Sequence, residues 1–193
     1  IYVTPVGSYF KSGLKSLNTI VTDKYHRVAT KSIGFAKAVG NYAGTLLPYK
    51  EIVENGYDEI IFLNASNENI IDEARSANIF VLKDTVLKTP VLQGSILPGI
   101  TRDSVIKVAS KIFNLDVREE DVSLDELMNA DEVFFTGTAA VIAPVGKIVY
   151  KNNEIRFKIS FEESMTRKIR ERLIDIQYEN IEDPFGWVIP LGR

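Results

Sequence analysis

Four groups of residues in this sequence have the types and spacing to do chemistry. The first is Lys37, within Lys31-Ser-Ile-Gly-Phe-Ala-Lys37-Ala-Val-Gly-Asn-Tyr42, where Gly34 and Gly40 flank it. Read as part of a strand from Ser32 to Val39, the stretch sets an amine among apolar side chains. Burial there disfavours the ammonium and leaves a nucleophile that can add to a carbonyl. The same pattern also describes a surface lysine whose stem lies along an edge strand while its head stays in water. The second is Glu73, in Ile70-Ile-Asp-Glu73-Ala-Arg75-Ser76-Ala-Asn78. A carboxylate among apolar strand residues needs a partner. It either faces a buried cationic ring nitrogen or sits exposed on a hairpin.

The third group is Leu97-Pro-Gly99-Ile100-Thr101, a glycine and a hydroxyl at a helix start. Free N–H groups and the macrodipole there favour an anion such as phosphate, and an ordinary helix cap has the same composition. The fourth is Gly137-Thr138-Ala139-Ala140, directly after a strand. Small residues let backbone N–H groups approach a ligand, and they equally make a tight turn. A lysine for a Schiff base, a carboxylate for a pyridinium nitrogen and two anion sites for a phosphate are together the parts of a pyridoxal 5'-phosphate site.

Composition narrows the field. The 193 residues are 45% hydrophobic and 25% charged with a net charge of -3, enough apolar material for a sizeable core. Acidic and basic residues are mixed, and no basic stripe with interleaved aromatics points to nucleic acid. The absence of cysteine excludes disulfides, CxxC redox chemistry and thiolate zinc sites. With His26 as the one histidine, a histidine-rich metal site is excluded, and no metal is expected. No apolar run is long enough for a membrane span and no signal peptide is recognised, so a cytoplasmic location is expected. Ile1–Val6 reads as a strand without an initiator Met, as in a fragment or processed chain.

The elements that must position these residues follow from periodicity. Strands are expected over 17–22, 58–64, 70–73, 78–82, 86–89 and 132–136, with a hairpin of 147–150 and 154–158 about Asn152-Asn153. A helix capped by Asn41 runs to about Asn55, with Pro48 as a kink, and Gly56 closes it. A second helix opens at Thr101, Ser123-Leu-Asp-Glu126 is a capping box, and a last helix covers about 161–178. Strands and helices do not alternate strictly, so a mixed α/β (α+β) domain is expected rather than a doubly wound sheet.

Several longer stretches carry a resemblance. They are Val3-Thr-Pro-Val-Gly-Ser-Tyr-Phe10, Lys37-Ala-Val-Gly-Asn-Tyr42, Glu73 followed by Asn78-Ile-Phe80, Thr89-Pro90, Ile96-Leu-Pro-Gly-Ile-Thr-Arg-Asp-Ser104, Ala130-Asp-Glu-Val-Phe-Phe-Thr-Gly-Thr-Ala-Ala140 and Gly186-Trp187. In this order and spacing the chain resembles the class IV pyridoxal-phosphate-dependent aminotransferases, most of all the branched-chain amino acid aminotransferases. The resemblance implies the pseudo-barrel-like large domain of the D-amino acid aminotransferase-like fold. Residues 1–193 would be the cofactor-binding C-terminal domain of a longer two-domain enzyme, whose smaller N-terminal domain precedes Ile1. It implies that Lys37 carries the cofactor and moves the substrate Cα proton. Tyr42 would bond the cofactor's phenolic oxygen, and Glu73 its pyridine nitrogen. Ile100, Thr101 and Thr138 would hold phosphate, Leu97 and Gly99 would line the ring, and Ala139 would bind the substrate carboxylate through its amide. Arg27 would lie close to the cofactor.

By the same resemblance, leucine, isoleucine or valine would give its amino group to 2-oxoglutarate in ping-pong order. The partners would be amino acids, 2-oxo acids and a second copy of the chain. A D-amino acid aminotransferase, an aminodeoxychorismate lyase, a non-enzymatic protein that kept the fold, or an inactive truncated domain are the competing readings. One departure stands out: Arg75, two residues after Glu73, occupies a position that is normally small in the family. It could reach the cofactor phosphate or crowd the site.

Overall fold

The computed structural model describes Pro5 and residues 15–189. The strand expected over Ile1–Val6 lies outside them except for Pro5. The elements are β1 (Leu17–Thr22), α1 (Val39–Ala43), α2 (Leu46–Glu54), β2 (Glu59–Asn64), β3 (Asn67–Ala74), β4 (Asn78–Lys83), β5 (Val86–Thr89), α3 (Ile100–Lys111), β6 (Asp116–Glu119), α4 (Leu124–Met128), β7 (Glu132–Gly137), β8 (Val141–Tyr150), β9 (Asn153–Arg156) and α5 (Met165–Gln177).

The strands form one nine-stranded mixed sheet in the order β3-β2-β1-β8-β7-β4-β5-β6, with β9 paired to β8. Its curvature follows from chain length. Four residue steps join the end of β3 at Ala74 to the start of β4 at Asn78, and they reach at most about 14 Å. In a flat sheet these strands would stand five spacings apart, about 24 Å at roughly 4.8 Å each. The sheet therefore curls until β3 and β4 are neighbours, and the three residues between them, Arg75-Ser76-Ala77, lie at the seam. This is the mixed α/β, half-barrel architecture that the sequence led us to expect.

Alternation along the strands fills both faces. Ile61 and Leu63, Ile79 and Val81, and Val133 and Phe135 pack inside the curl with Ile71, Val145 and Ile148, and Leu127 of α4 joins them. The alternate residues Phe80, Leu82 and Phe134 face outward against Val105, Val108 and Ala109 of α3 and Ile169, Leu173 and Ile176 of α5. Phe80 and Phe134 stack at 5.1 Å. On β2 the outward pair Ile60 and Phe62 meets Ile52 of α2. Burial on both faces explains why Ile60–Leu63 reads as a continuous apolar run.

Four expectations are corrected. Residues 32–38 form no strand but a series of turns and bends, and Lys37 is exposed at its end. Gly34 and Ala36 thus lie in turns and bends rather than a pleat, and Gly40 falls inside α1. The single kinked helix expected from a cap at Asn41 is two helices, parted at Gly44 and Thr45, and Asn41 lies within the first, whose cap position is Ala38. Pro48 is the third residue of α2, where its missing N–H breaks no helical bond. Thr101 is not a cap: Gly99 is, and Thr101 is the second residue of α3. The last helix starts late, at Met165, because the Glu132 carboxylate accepts the N–H groups of Met165 and Thr166, each at 2.8 Å. The capping box at Ser123 forms with both of its bonds.

Two strands were not anticipated. β6 is short, charged and mostly exposed, and it pairs in parallel with β5 as an edge strand. The first half of β8 contains Pro144 and Gly146, residues that argue against a strand. Pro144 pairs with Phe134 of β7 but lies before the β1 pairing, which begins at Leu17 opposite Val145. Gly146 sits at the register shift beside Leu17.

Candidate active site

Lys37 is fixed by what holds its loop. Asn41, buried in α1, donates to the carbonyls of Ile33 at 2.8 Å and Ala36 at 2.9 Å. The Phe35 N–H donates to Gly94 at 3.1 Å. Gly34 packs so closely on the Ser95 backbone that a Cβ would collide with its carbonyl. These contacts deliver Lys37 to the common wall of two adjoining cavities, of about 240 and 260 Å³. The first is also lined by Arg27, Tyr42, Glu73, Leu97, Gly99, Ile100, Thr101 and Thr138. The second takes in Ala139, with Leu17, Glu59 and Phe135. Every site residue singled out in the sequence thus borders one of these two cavities, and Lys37 and Thr138 border both.

Glu73 is the last residue but one of β3 and is 3% exposed. Its Oε1 receives the Arg27 guanidinium at 2.6 Å and the Leu97 N–H at 3.2 Å, and its Oε2 receives Asn78 Nδ2 at 2.9 Å. Burial pushes the Glu73 carboxyl up to about 8, with Arg27 pulling the other way. Arg27 is itself buried, donating to the carbonyls of Ser95 and Gly34. Beside it, Asp72 accepts from Asn64 Nδ2 at 2.9 Å and Ser95 Oγ at 3.2 Å, and burial raises its carboxyl too.

Asn78 joins this carboxylate to the helix opposite. Its Nδ2 donates to the Leu97 carbonyl at 2.8 Å as well as to Glu73. A Cβ at Gly99 would collide with Asn78 Oδ1, so the glycine is required for the approach and not for its φ of -70°. Helix α3 begins just beyond. The first helical bond is donated by Asp103 to Gly99, which leaves the N–H groups of Ile100, Thr101 and Arg102 ahead of it. Arg102 anchors this end, bonding the Pro90 carbonyl at 2.9 Å and Glu119 at 2.8 Å. Across the cavity, Thr136 holds a buried Oγ1 without a partner among the described residues, followed by Gly137 and Thr138.

These residues fit pyridoxal phosphate. A carboxylate has about four acceptor positions; three are taken on Glu73, and one on Oε2 is left for a ring N–H. The α3 N-terminus with Thr101 offers an anion site on the same cavity as Lys37. No group of three or more potential metal ligands occurs among the described residues, and no helix among them is long and apolar enough to cross a membrane.

Asn78, Thr136 and Glu59 were not singled out as site residues from the sequence. Asn78 was visible only within a longer motif, because an asparagine opening a strand carries no mark of what it bonds. Arg75, the departure noted in the sequence, stands on the wall of the site. It lines the first cavity, but its guanidinium lies over the Tyr49 ring at 4.0 Å and faces Glu59.

Fold and cavity together describe an α/β protein that offers an amine, a buried carboxylate and an anion site to one ligand. The chain belongs to the class IV aminotransferases: the family model described as "Amino-transferase class IV" matches residues 3–148. It is 42% identical over 192 residues to branched-chain-amino-acid aminotransferase 2, chloroplastic, of Arabidopsis thaliana, covering 100% of this chain and 49% of that protein. The branched-chain amino acid aminotransferase of Escherichia coli superposes with a TM-score of 0.82 at 35% identity, over 95% of this chain and 59% of that one. Another branched-chain amino acid aminotransferase, solved in complex with N-(5'-phosphopyridoxyl)-L-glutamate, gives 0.77 at 30% identity, over 89% and 55%. The chain spans about half the length of the curated relatives it matches.

Proposed function

We propose that this chain is the cofactor-binding domain of a branched-chain amino acid aminotransferase. Leucine, isoleucine or valine and 2-oxoglutarate are converted to the branched 2-oxo acid and glutamate. One observation carries this proposal: Lys37, Glu73 and the α3 N-terminus meet on a single cavity. Likeness to relatives named for branched-chain amino acids supports the donor. The phosphopyridoxyl-glutamate bound to the third of those relatives supports both the cofactor and the dicarboxylic partner.

Bound pyridoxal phosphate would supply an aldehyde to carry the amino group and a ring to accept electrons. The residues of this chain do the rest. Lys37 Nζ reaches the cofactor from the loop and moves the substrate Cα proton. Glu73 Oε2 holds the ring N–H, and Arg27 opposes the burial that favours the protonated carboxyl. Tyr42 orients the ring from its phenolic side. The N–H groups of Ile100 and Thr101, with the hydroxyls of Thr101 and Thr138, hold the phosphate. Ala139, on the second cavity, offers its N–H to the substrate carboxylate.

The protein works as a homodimer in this proposal. Val39 and Ile100, 84% and 81% exposed beside the site, are the kind of surface a partner covers.

The test is spectroscopic. Full-length protein mixed with pyridoxal phosphate is expected to gain an absorbance band that Lys37→Ala lacks, and then to transfer amino groups from leucine to 2-oxoglutarate. Identical spectra for the two proteins would sink the proposal. Activity confined to D-alanine would replace it with a D-amino acid aminotransferase.

A further inference from the structure

A ping-pong aminotransferase must seat two different side chains in one place. Under the proposed function, on which this inference rests, one half-reaction brings an aliphatic chain and the other a carboxylate. A bare cation in the pocket penalises the first, since a buried charge needs a partner. A pocket without a cation leaves the second with only the weaker neutral donors. Arg75 is placed to resolve this conflict.

Arg75 sits on the seam between β3 and β4, and it borders the same cavity as Lys37. Its side chain is only 23% exposed, yet it is poorly bonded. Nε is buried with no hydrogen-bond partner among the described residues. Its nearest anion, Oε1 of Glu59, is 3.8 Å away, too far for a hydrogen bond. Glu59 in turn borders the adjoining cavity, and Ser76 Oγ and the Ile60 N–H already bond its two oxygens. The guanidinium rests on Tyr49, an aromatic face that steadies a cation without binding it through donors. The backbone beneath is fixed, with the Arg75 N–H on Ile60 at 3.2 Å and the Ala74 N–H on Ala77 at 3.0 Å. Side-chain rotation alone can therefore move the charge.

We propose that Arg75 receives the distal carboxylate of the dicarboxylic substrate and is parked against Glu59 and Tyr49 when the aliphatic substrate is bound. A guanidinium fork matches a carboxylate in two parallel bonds, which Glu59 at its present distance does not supply. The cofactor phosphate is the other anion on this cavity, but the α3 N-terminus and Thr101 already provide for it.

The experiment uses the full-length protein reconstituted with pyridoxal phosphate. It compares kcat/KM for 2-oxoglutarate and for 4-methyl-2-oxopentanoate, with cofactor affinity measured in parallel. Arg75→Met keeps the stem and removes the charge. It is expected to lower the ratio of the two kcat/KM values by about 10- to 100-fold, mainly through KM for 2-oxoglutarate. Glu59→Gln frees the cation and is expected to move the ratio the other way. Arg75→Lys is expected to restore part of the loss. Equal losses on both substrates would overturn the proposal: with weakened cofactor binding they would assign Arg75 to the phosphate, and with unchanged binding to the fold alone. A wild-type protein that forms no lysine-dependent band would instead overturn the proposed function, and this assignment with it.

Discussion

Glu73 shows how one side chain sets conditions for a site. It lies 3% exposed, and its burial outweighs the pull of Arg27, leaving the carboxyl raised to about 8. In the unfolded chain it titrates near 4.5. Between these values the folded protein holds a proton that the unfolded chain has released. Stability is therefore fully present below pH of about 4.5 and is lost as pH rises towards about 8. Asp72 and Glu59, both raised by burial, add in the same direction. Urea denaturation of the cofactor-free protein is expected to show this fall, with a slope of up to about 1.4 kcal/mol per pH unit from Glu73. Glu73→Gln should reduce the slope, and an unchanged slope would count against a raised Glu73. Lys37, Glu73, Thr101 and Thr138 were legible in the sequence because polar residues beside glycines or apolar runs stand out. Their bonds were not. Nothing in the order of residues says that Arg27 and Asn78 both reach Glu73, since those contacts depend on how the sheet closes.

Among the elements, the Leu97–Gly99 turn and the head of α3 are tied to β3 through Asn78. Gly99→Ala puts a methyl group where Asn78 Oδ1 lies. It is expected to destabilise the protein by about 1–3 kcal/mol through overpacking, and to weaken cofactor binding because Asn78 then leaves Glu73. Thermal unfolding and a cofactor titration report the two effects. Gly40→Ala, with nothing near its Cβ, serves as the contrasting glycine and should change neither by much. Asn41→Ala tests the other tie. It removes the side-chain donor from the Ile33 and Ala36 carbonyls, which keep the N–H groups of Ala36 and Ala38, for an expected loss of about 1–2 kcal/mol, and loosens the lysine loop. Amide exchange over residues 33–38 should quicken. The elements best read from sequence were those with two-residue or helical periodicity, such as β4, β7 and α5. The lysine segment misled because alternating Ile33, Phe35 and Lys37 imitates a strand, whereas the backbone turns under Asn41. β6 was hidden for the opposite reason: an exposed edge strand needs no apolar pattern to pair.

At the scale of the molecule, the curled sheet buries its two faces unequally. α3 and α5 cover one part of its outer side, and α2 covers β2. The surface around Lys37 is left apolar and open: Phe35 is 54% exposed, Val39 84%, Leu46 62% and Ile100 81%. Isolated exposed apolar residues are ordinary, but three of these lie on the lysine loop, α1 and the head of α3, which border the site, and Leu46 opens α2 directly after α1. Full-length protein is expected to sediment as a dimer. Replacing Phe35 and Val39 together by glutamate places charge on the loop without entering the core, so circular dichroism should be unchanged. If this surface meets the partner, the variant should sediment as a monomer at concentrations where the wild type is dimeric. Its absorbance band with pyridoxal phosphate should also weaken, because the lysine loop loses the contact that covers it. A variant that stays dimeric and binds cofactor normally would place the interface elsewhere and leave the apolar rim of the site to another part of the protein.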